Sequence, residues 1–399
     1  MSTTNERLLP GRFGRFGGRY VAESLWTPLQ EIADAFDEAV DDPKFVTTME
    51  RWLDHRIGRP TPVSHLGALS ERVGGAQIWV KREDLCQGGS FSINTAVLQV
   101  LLARRLGRRS VIGETGTGDF GVALGSIAAA MGLEARIFMG REDLENETLN
   151  VQRMLELGVV IETVDTGTRG RKRACSEALR FWATHSNQAH YCASSLAMPD
   201  PFPRILAYAL GVIGAETRVQ LKRRGCDPEY IIAPIGSGAF GVGLFSEFAK
   251  HTDIQLVGVQ GGGDGHGART SASLVVGSPG VFMGTHSYLL QDDNGQVLVP
   301  HSIAGGLCVP NVGPQHARWA AEGRVHYVAV SDDDACLAVR TLARTEGLLV
   351  CLESGHALSY AIKIAATLGS EQHVVVGITG SGLRDLERLD QFAHSRQTP

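Results

Sequence analysis

Short apolar runs rich in Val and Ile recur along the chain: AQIWV (76–80), SVIG (110–113), ARIFM (135–139), VVIETV (159–164), YIIAPI (230–235), IQLVGV (254–259), HYVAV (326–330) and HVVVGI (373–378). Runs of this length predict strands, and the stretches between them carry helical patterns. Strand and helix in alternation predict an α/β protein with largely parallel sheets flanked by helices. Ser331 followed by Asp332, Asp333 and Asp334 predicts an N-cap with acids in the first helical turn, where the helix dipole favours negative charge.

Several of the predicted strands run directly into glycine and then into a helix, as in GETGTGDFGVALGSIAAAMG (113–132) and APIGSGAFGVGLFSEFAK (233–250). Loops at the carboxyl ends of parallel strands are where α/β proteins bind ligands, so function is expected there. The longest stretch poor in regular pattern is 261–310, which reads as either a ligand-covering loop region or an interface.

Composition narrows the class. The 399 residues are 43% apolar and 20% charged, enough for two packed cores, so two domains are the default. A formal net charge of -5 offers no basic excess for phosphate backbones or anionic lipid, which argues against nucleic acid and membrane partners. No apolar stretch approaches the roughly 20 residues of a spanning helix, and the first twenty residues lack the apolar core of a signal peptide. A cytoplasmic protein is expected. The seven cysteines (Cys86, Cys175, Cys192, Cys226, Cys308, Cys336, Cys351) are scattered and form no C-x-x-C pair, so reduced thiols are expected in place of a disulfide framework or zinc site.

Taken in order, FGGRYV (16–21), GRPTPV (58–63), KREDL (81–85), ETGTGDFGVA (114–123), LNVQRM (149–154), GSGAFGVG (236–243), VGPQHA (312–317), ARTEGL (343–348), LESGHALSYA (352–361) and GITGSG (377–382) resemble the tryptophan synthase β subunit family over roughly residues 11 to 390. The resemblance implies the two-domain α/β fold of fold-type II pyridoxal-phosphate enzymes, with the site in the cleft between domains. It implies an N-terminal domain of 1–57 plus 91–209, including a mobile subdomain at about 107–194, and a C-terminal domain of 58–90 plus 210–399. A homodimer is implied too, and docking of an α-type subunit is left open.

The departures from the family fall at its chemistry. The family's loop x-H-x-G-A-H-K-x-N carries the lysine that forms the Schiff base, and here the loop is Cys86-Gln87-Gly88-Gly89-Ser90-Phe91-Ser92-Ile93-Asn94. Ser92 falls on the lysine and Phe91 on the preceding histidine, and a hydroxyl cannot form an imine. Only six lysines exist (Lys44, Lys81, Lys172, Lys222, Lys250, Lys363), of which Lys172 alone matches a family lysine near the cleft. The family's phosphate cup G-G-G-S-N-A is Gly236-Ser237-Gly238-Ala239-Phe240-Gly241, so a hydroxyl and an amide give way to a methyl and a ring. Asp119 and Phe120 replace the last two residues of the family's T-G-A-G-Q-H loop, and Asp119 is expected to repel an amino-acid carboxylate. Cys308 stands in place of an aspartate that addresses the substrate hydroxyl. From these exchanges no cofactor and no metal is expected.

Glu114 matches the family's catalytic glutamate, which handles the proton of the indole nucleophile, with a structural hydrogen bond to the Thr115 loop as the alternative. Glu353 and Thr379 match positions lining the cofactor ring. Together with Phe91, Ser92, Thr115, Gly116, Asp119, Phe120, Ser195, Phe240 and Cys308, they make the expected substrate-binding set around a more aromatic cavity. His356 reads as a core or capping histidine. The expected function is a cofactor-independent enzyme of a specialised biosynthetic pathway, acting on an indole-like or other aromatic small molecule with Glu114 as general acid or base. The alternatives are a non-catalytic partner subunit or metabolite sensor, and a residual pyridoxal-phosphate-type lyase.

Overall fold

The computed structural model describes residues 11–167, 170–265 and 269–395. The first ten residues of the amino-terminal stretch, and 266–268 within the 261–310 segment, lie outside the described residues. In chain order the strands are β1 (Arg12–Phe13), β2 (Phe16–Gly17), β3 (Val63–His65), β4 (Gln77–Arg82), β5 (Ser110–Thr115), β6 (Glu134–Gly140) and β7 (Val160–Val164). They continue with β8 (Ala189–Tyr191), β9 (Tyr230–Pro234), β10 (Gln255–Gly261), β11 (Ser278–Phe282), β12 (Thr285–Leu289), β13 (Val325–Val330) and β14 (His373–Ile378).

The larger sheet has the order β13-β10-β9-β14-β4-β3. Its strands are parallel except β3, which closes one edge antiparallel to β4. Side chains alternate across the faces: Ile231 and Val375 enter one apolar core, while Ile232, Val374 and Val376 enter another. Both faces are therefore covered, which is why these strands read as continuous apolar runs without polar alternation. The smaller sheet, β7-β6-β5-β8, is parallel throughout. Both sheets fit the expected α/β class.

All eight predicted runs are strands. The sequence reading missed β3 and β8, three residues each, and a small antiparallel sheet of order β1-β2-β12-β11. Its hairpin turns at Met283 and Gly284, both with positive φ (48° and 82°), the combination that matches strand twist in a two-residue turn. The 261–310 stretch thus divides into a hairpin paired with the amino-terminal strands and a segment, Gly305–Leu307, that reaches the cavity described below.

The Ser331 cap is present: its hydroxyl accepts from the Asp334 amide at 3.2 Å and starts the helix Asp332–Glu346. His356 is fully buried between the Leu352 carbonyl at 2.8 Å and Asp332 at 3.2 Å, as a core histidine should be. All seven cysteines are free thiols. Among the described residues no helix is long and apolar enough to cross a membrane.

Candidate active site in the cleft

Three loops converge where β5, β9 and β14 end, and a fourth follows β4. The fourth carries Ser92 and is anchored from below by charge. Arg59 donates to both oxygens of fully buried Glu83 (2.8 and 3.0 Å), to both oxygens of Glu216 (2.9 and 2.7 Å) and to Asn94 Oδ1 at 3.0 Å. Lys81 donates to Glu216 and to the Thr61 carbonyl, each at 2.7 Å. Asn94 in turn donates to Glu83 and to the Phe91 carbonyl. Burial alone would raise the Glu83 pKa, but Arg59 outweighs it and holds the group ionised. KREDL is thus a structural motif that fixes the register of the loop.

At the top of that loop Ser92 begins the helix Ser92–Arg105, and its hydroxyl accepts from Ser90 Oγ at 3.2 Å. A cavity of about 110 Å³ opens above it. Phe91 and Phe240 meet edge to face across the wall, with ring centroids 5.4 Å apart, an arrangement favoured by the ring quadrupoles. Phe120, Thr115, Gly116, Asp119, Glu353 and Thr379 also line the space, as expected. The Gly236–Gly238 turn forms another wall. Gly238 has φ +94°, and a Cβ there would lie 2.2 Å from the His316 ring, so only glycine fits. His316 holds this turn by donating from Nε2 to the Gly238 carbonyl (2.8 Å) while Nδ1 accepts from the Tyr327 hydroxyl (2.7 Å). Burial lowers its pKa to about 4, so it is neutral and can do both.

The expected repulsion by Asp119 is corrected by a residue that no motif contained. Arg384, whose side chain is buried, donates to Asp119 at 3.2 Å and to Glu353 at 2.7 Å, and pairs with Asp385 at 3.1 Å. Asp119 also accepts from Asn150 at 2.9 Å. Glu353 spends its other oxygen on the Gly306 amide at 2.7 Å. Both acids are therefore engaged with the chain itself.

Glu114, expected as general acid or base, is fully buried and stands behind the residues that line the cavity. Its carboxylate accepts from the Tyr191 hydroxyl at 2.5 Å and from Ser194 Oγ at 2.7 Å. Ser194 lines the cavity and also accepts from Arg171 at 2.9 Å. The nomination of Ser195 was one residue off: its hydroxyl turns away to accept from the Ala197 amide at 3.2 Å. Strands alternate faces, but in the irregular segment after β8 that parity gives no guide. Cys308 is also outside the lining, its thiol donating to the Pro300 carbonyl at 3.3 Å, and burial pushes its pKa up. Missed by sequence reasoning were Ser194, Arg171, Arg384, Tyr191 and His316. Only the Gly-Arg-Lys-Arg cluster at 170–173, whose Lys172 matches a family lysine near the cleft, could have signalled Arg171.

The sequence profile of the family described as "Pyridoxal-phosphate dependent enzyme" matches residues 56–380. The chain is 42% identical over 381 residues to a tryptophan synthase beta chain of Stenotrophomonas maltophilia, covering 95% of this chain and 94% of that one. It is 43% identical over 378 residues to that of Methylibium petroleiphilum, covering 94% and 92%. Among solved structures, a fungal L-serine ammonia-lyase from Rhizomucor miehei superposes with a TM-score of 0.65 over 84% of this chain and 97% of that one, at 20% identity. That last likeness speaks for the fold alone.

These matches overturn the expectation of no cofactor: pyridoxal phosphate is the group to which the family and the relatives point. The residues present do not fit it in Schiff-base form. Among the described residues no lysine lines the cavity. Lys81 is locked in the Arg59 network, and the Lys172 ammonium sits over the Phe282 ring, 5.2 Å from its centroid. What the lining does offer is a set of hydroxyls from Ser90, Ser92, Thr115, Ser194, Ser237 and Thr379 among three aromatic rings.

Proposed function

Because the chain belongs to the pyridoxal-phosphate dependent enzyme family and is similar along nearly its whole length to tryptophan synthase beta chains, we propose that it is a tryptophan synthase β-like enzyme whose cleft takes an indole-like or other aromatic substrate, with Glu114 handling the substrate proton. The observation that carries this reading is Ser194, which lines the cavity and whose hydroxyl donates to Glu114 at 2.7 Å. A proton released in the cavity reaches the buried carboxylate through that hydroxyl, and Tyr191 holds the second carboxylate oxygen at 2.5 Å. The rings of Phe91, Phe120 and Phe240 provide the apolar faces against which a flat substrate stacks. Replacement of side chains at 92, 239 and 240 favours a specialised biosynthetic reaction, carried out by a homodimer.

The test follows consumption of an indole by the purified protein, with L-serine and pyridoxal phosphate supplied. Glu114→Gln should lower turnover by about two orders of magnitude, as for loss of a general acid or base, with binding of the indole changed less than threefold. Wild-type turnover in that variant would remove the proton-handling role. A second reading, a non-catalytic metabolite sensor or partner subunit, is favoured by the full occupation of both Glu114 oxygens by hydroxyls of the chain itself. On that reading the indole binds, none is consumed, and Glu114→Gln changes nothing beyond stability.

A further inference from the structure

Among the described residues, pairing off the charges at the cavity leaves one cation with capacity to spare. Asp119 and Glu353 share Arg384, so those three groups are satisfied among themselves. Arg171 is different. Its side chain is 22% exposed and lines the cavity, one of its terminal nitrogens donates to Ser194 at 2.9 Å, and Glu114 stands at 3.8 Å. Both Glu114 oxygens already accept shorter hydroxyl bonds, so that carboxylate is a distant and shared counterion. Among the described residues no other carboxylate comes within 4 Å of the guanidinium. A guanidinium carries five N–H donors, and one bond to a hydroxyl leaves a fork for a planar anion.

The position is fixed by packing. A Cβ on Gly116 would lie 3.3 Å from Arg171 Cδ, so the arginine stem lies across the Thr115–Thr117 loop with its head towards Ser194. The nearby Asp143 is at most a partial counterion: burial pushes that carboxyl up to about 7, against the pull of Arg171.

We infer that Arg171 sets the charge of the ligand, so that the cleft takes an aromatic compound bearing a carboxylate, its ring among Phe91, Phe120 and Phe240 and its carboxylate on the Arg171 fork. This rests on the aromatic-substrate reading above and adds the anionic group. Arginine, unlike lysine, offers two parallel N–H donors to such a group, and the surrounding rings lower the local polarity that would otherwise screen the pair.

The experiment is calorimetric titration of the purified protein with indole-3-acetate and with its neutral counterpart indole-3-acetamide. The acetate should bind about tenfold more tightly, the ratio that one charge-assisted hydrogen bond supports. Arg171→Gln should reduce that preference to less than threefold while leaving the acetamide affinity unchanged, and Arg171→Lys should restore part of it. Equal affinities in the wild type, or an unchanged preference in Arg171→Gln, would overturn this inference and leave the aromatic reading standing. Failure of both probes to bind would sink both. Far-UV circular dichroism of the variants separates lost recognition from lost folding.

Discussion

The network around Arg59 and the network around Arg384 use the same parts, a buried guanidinium divided among carboxylates, yet they join different things. Arg59 ties the helix Ser92–Arg105 to the turn after β4 and to the helix Phe202–Arg223, beneath the cavity. Arg384 reaches from the loop after β14 to Asp119, at the start of the helix after β5, and so links the two parallel sheets across the cavity. The first arrangement holds a loop in register under the site. The second makes the site's own walls electrically quiet, and it decides what charge a ligand meets.

Single substitutions should separate these roles by size. Arg59→Met strands Glu83 in the interior, while Glu216 keeps Lys81, and should cost about 4 kcal/mol, the range for breaking a buried ion pair from one side, read as a lower urea midpoint. Arg384→Met should cost about 3 kcal/mol on the same grounds, and it should also weaken anionic-ligand binding, because Asp119 and Glu353 are then uncompensated. Were Arg59→Met to change ligand charge preference as well, the division between the two networks would collapse. Asn94→Ala removes neutral bonds to charged partners and should cost about 2 kcal/mol, with ligand preference intact.

The smallest effect tests Glu353 by pH. Burial would raise its pKa, but the charge and hydrogen bond of Arg384 outweigh burial and hold it at about 2, below its ordinary 4.5. A carboxyl whose folded pKa is depressed adds stability above the unfolded value and loses it as pH falls through the folded one. Glu353→Gln should therefore be destabilised by about 1 kcal/mol at neutral pH, and the gap to wild type should narrow between pH 4.5 and 2. A constant gap across that window would mean that Arg384 is not its counterion.

How far the chain could be read follows from the same contrast. The parallel strands were legible because both of their faces are buried, and buried strands show as unbroken apolar runs. The strands β1, β2, β3 and β8, two or three residues each, are too short to do so. The Arg59 network lies next to a contiguous motif, KREDL, and the identity of its members suggested a kept scaffold. Arg384 sits 265 residues from Asp119 in sequence, so nothing local to either residue announces the pair, and the negative charge of Asp119 looked unopposed. Ser194 and Ser195 differ only in which hydroxyl faces the cavity, a distinction set by backbone path and invisible in a string of letters. The cofactor expectation failed for another reason: it inferred a whole chain's chemistry from exchanges at a few positions, Ser92, Asp119, Ala239, Phe240 and Cys308, while the chain as a whole stays 42% identical to its relatives.

Ser194 has a single hydroxyl hydrogen, and it points at Glu114. Under the proposed route, no proton can travel inward without that hydrogen moving on ahead of it, so two hydrogens change partners in one crossing. The rate in mixtures of light and heavy water should then bend with deuterium content instead of falling along a straight line, and Ser194→Ala, by removing the stepping stone, should erase the curvature together with most of the turnover.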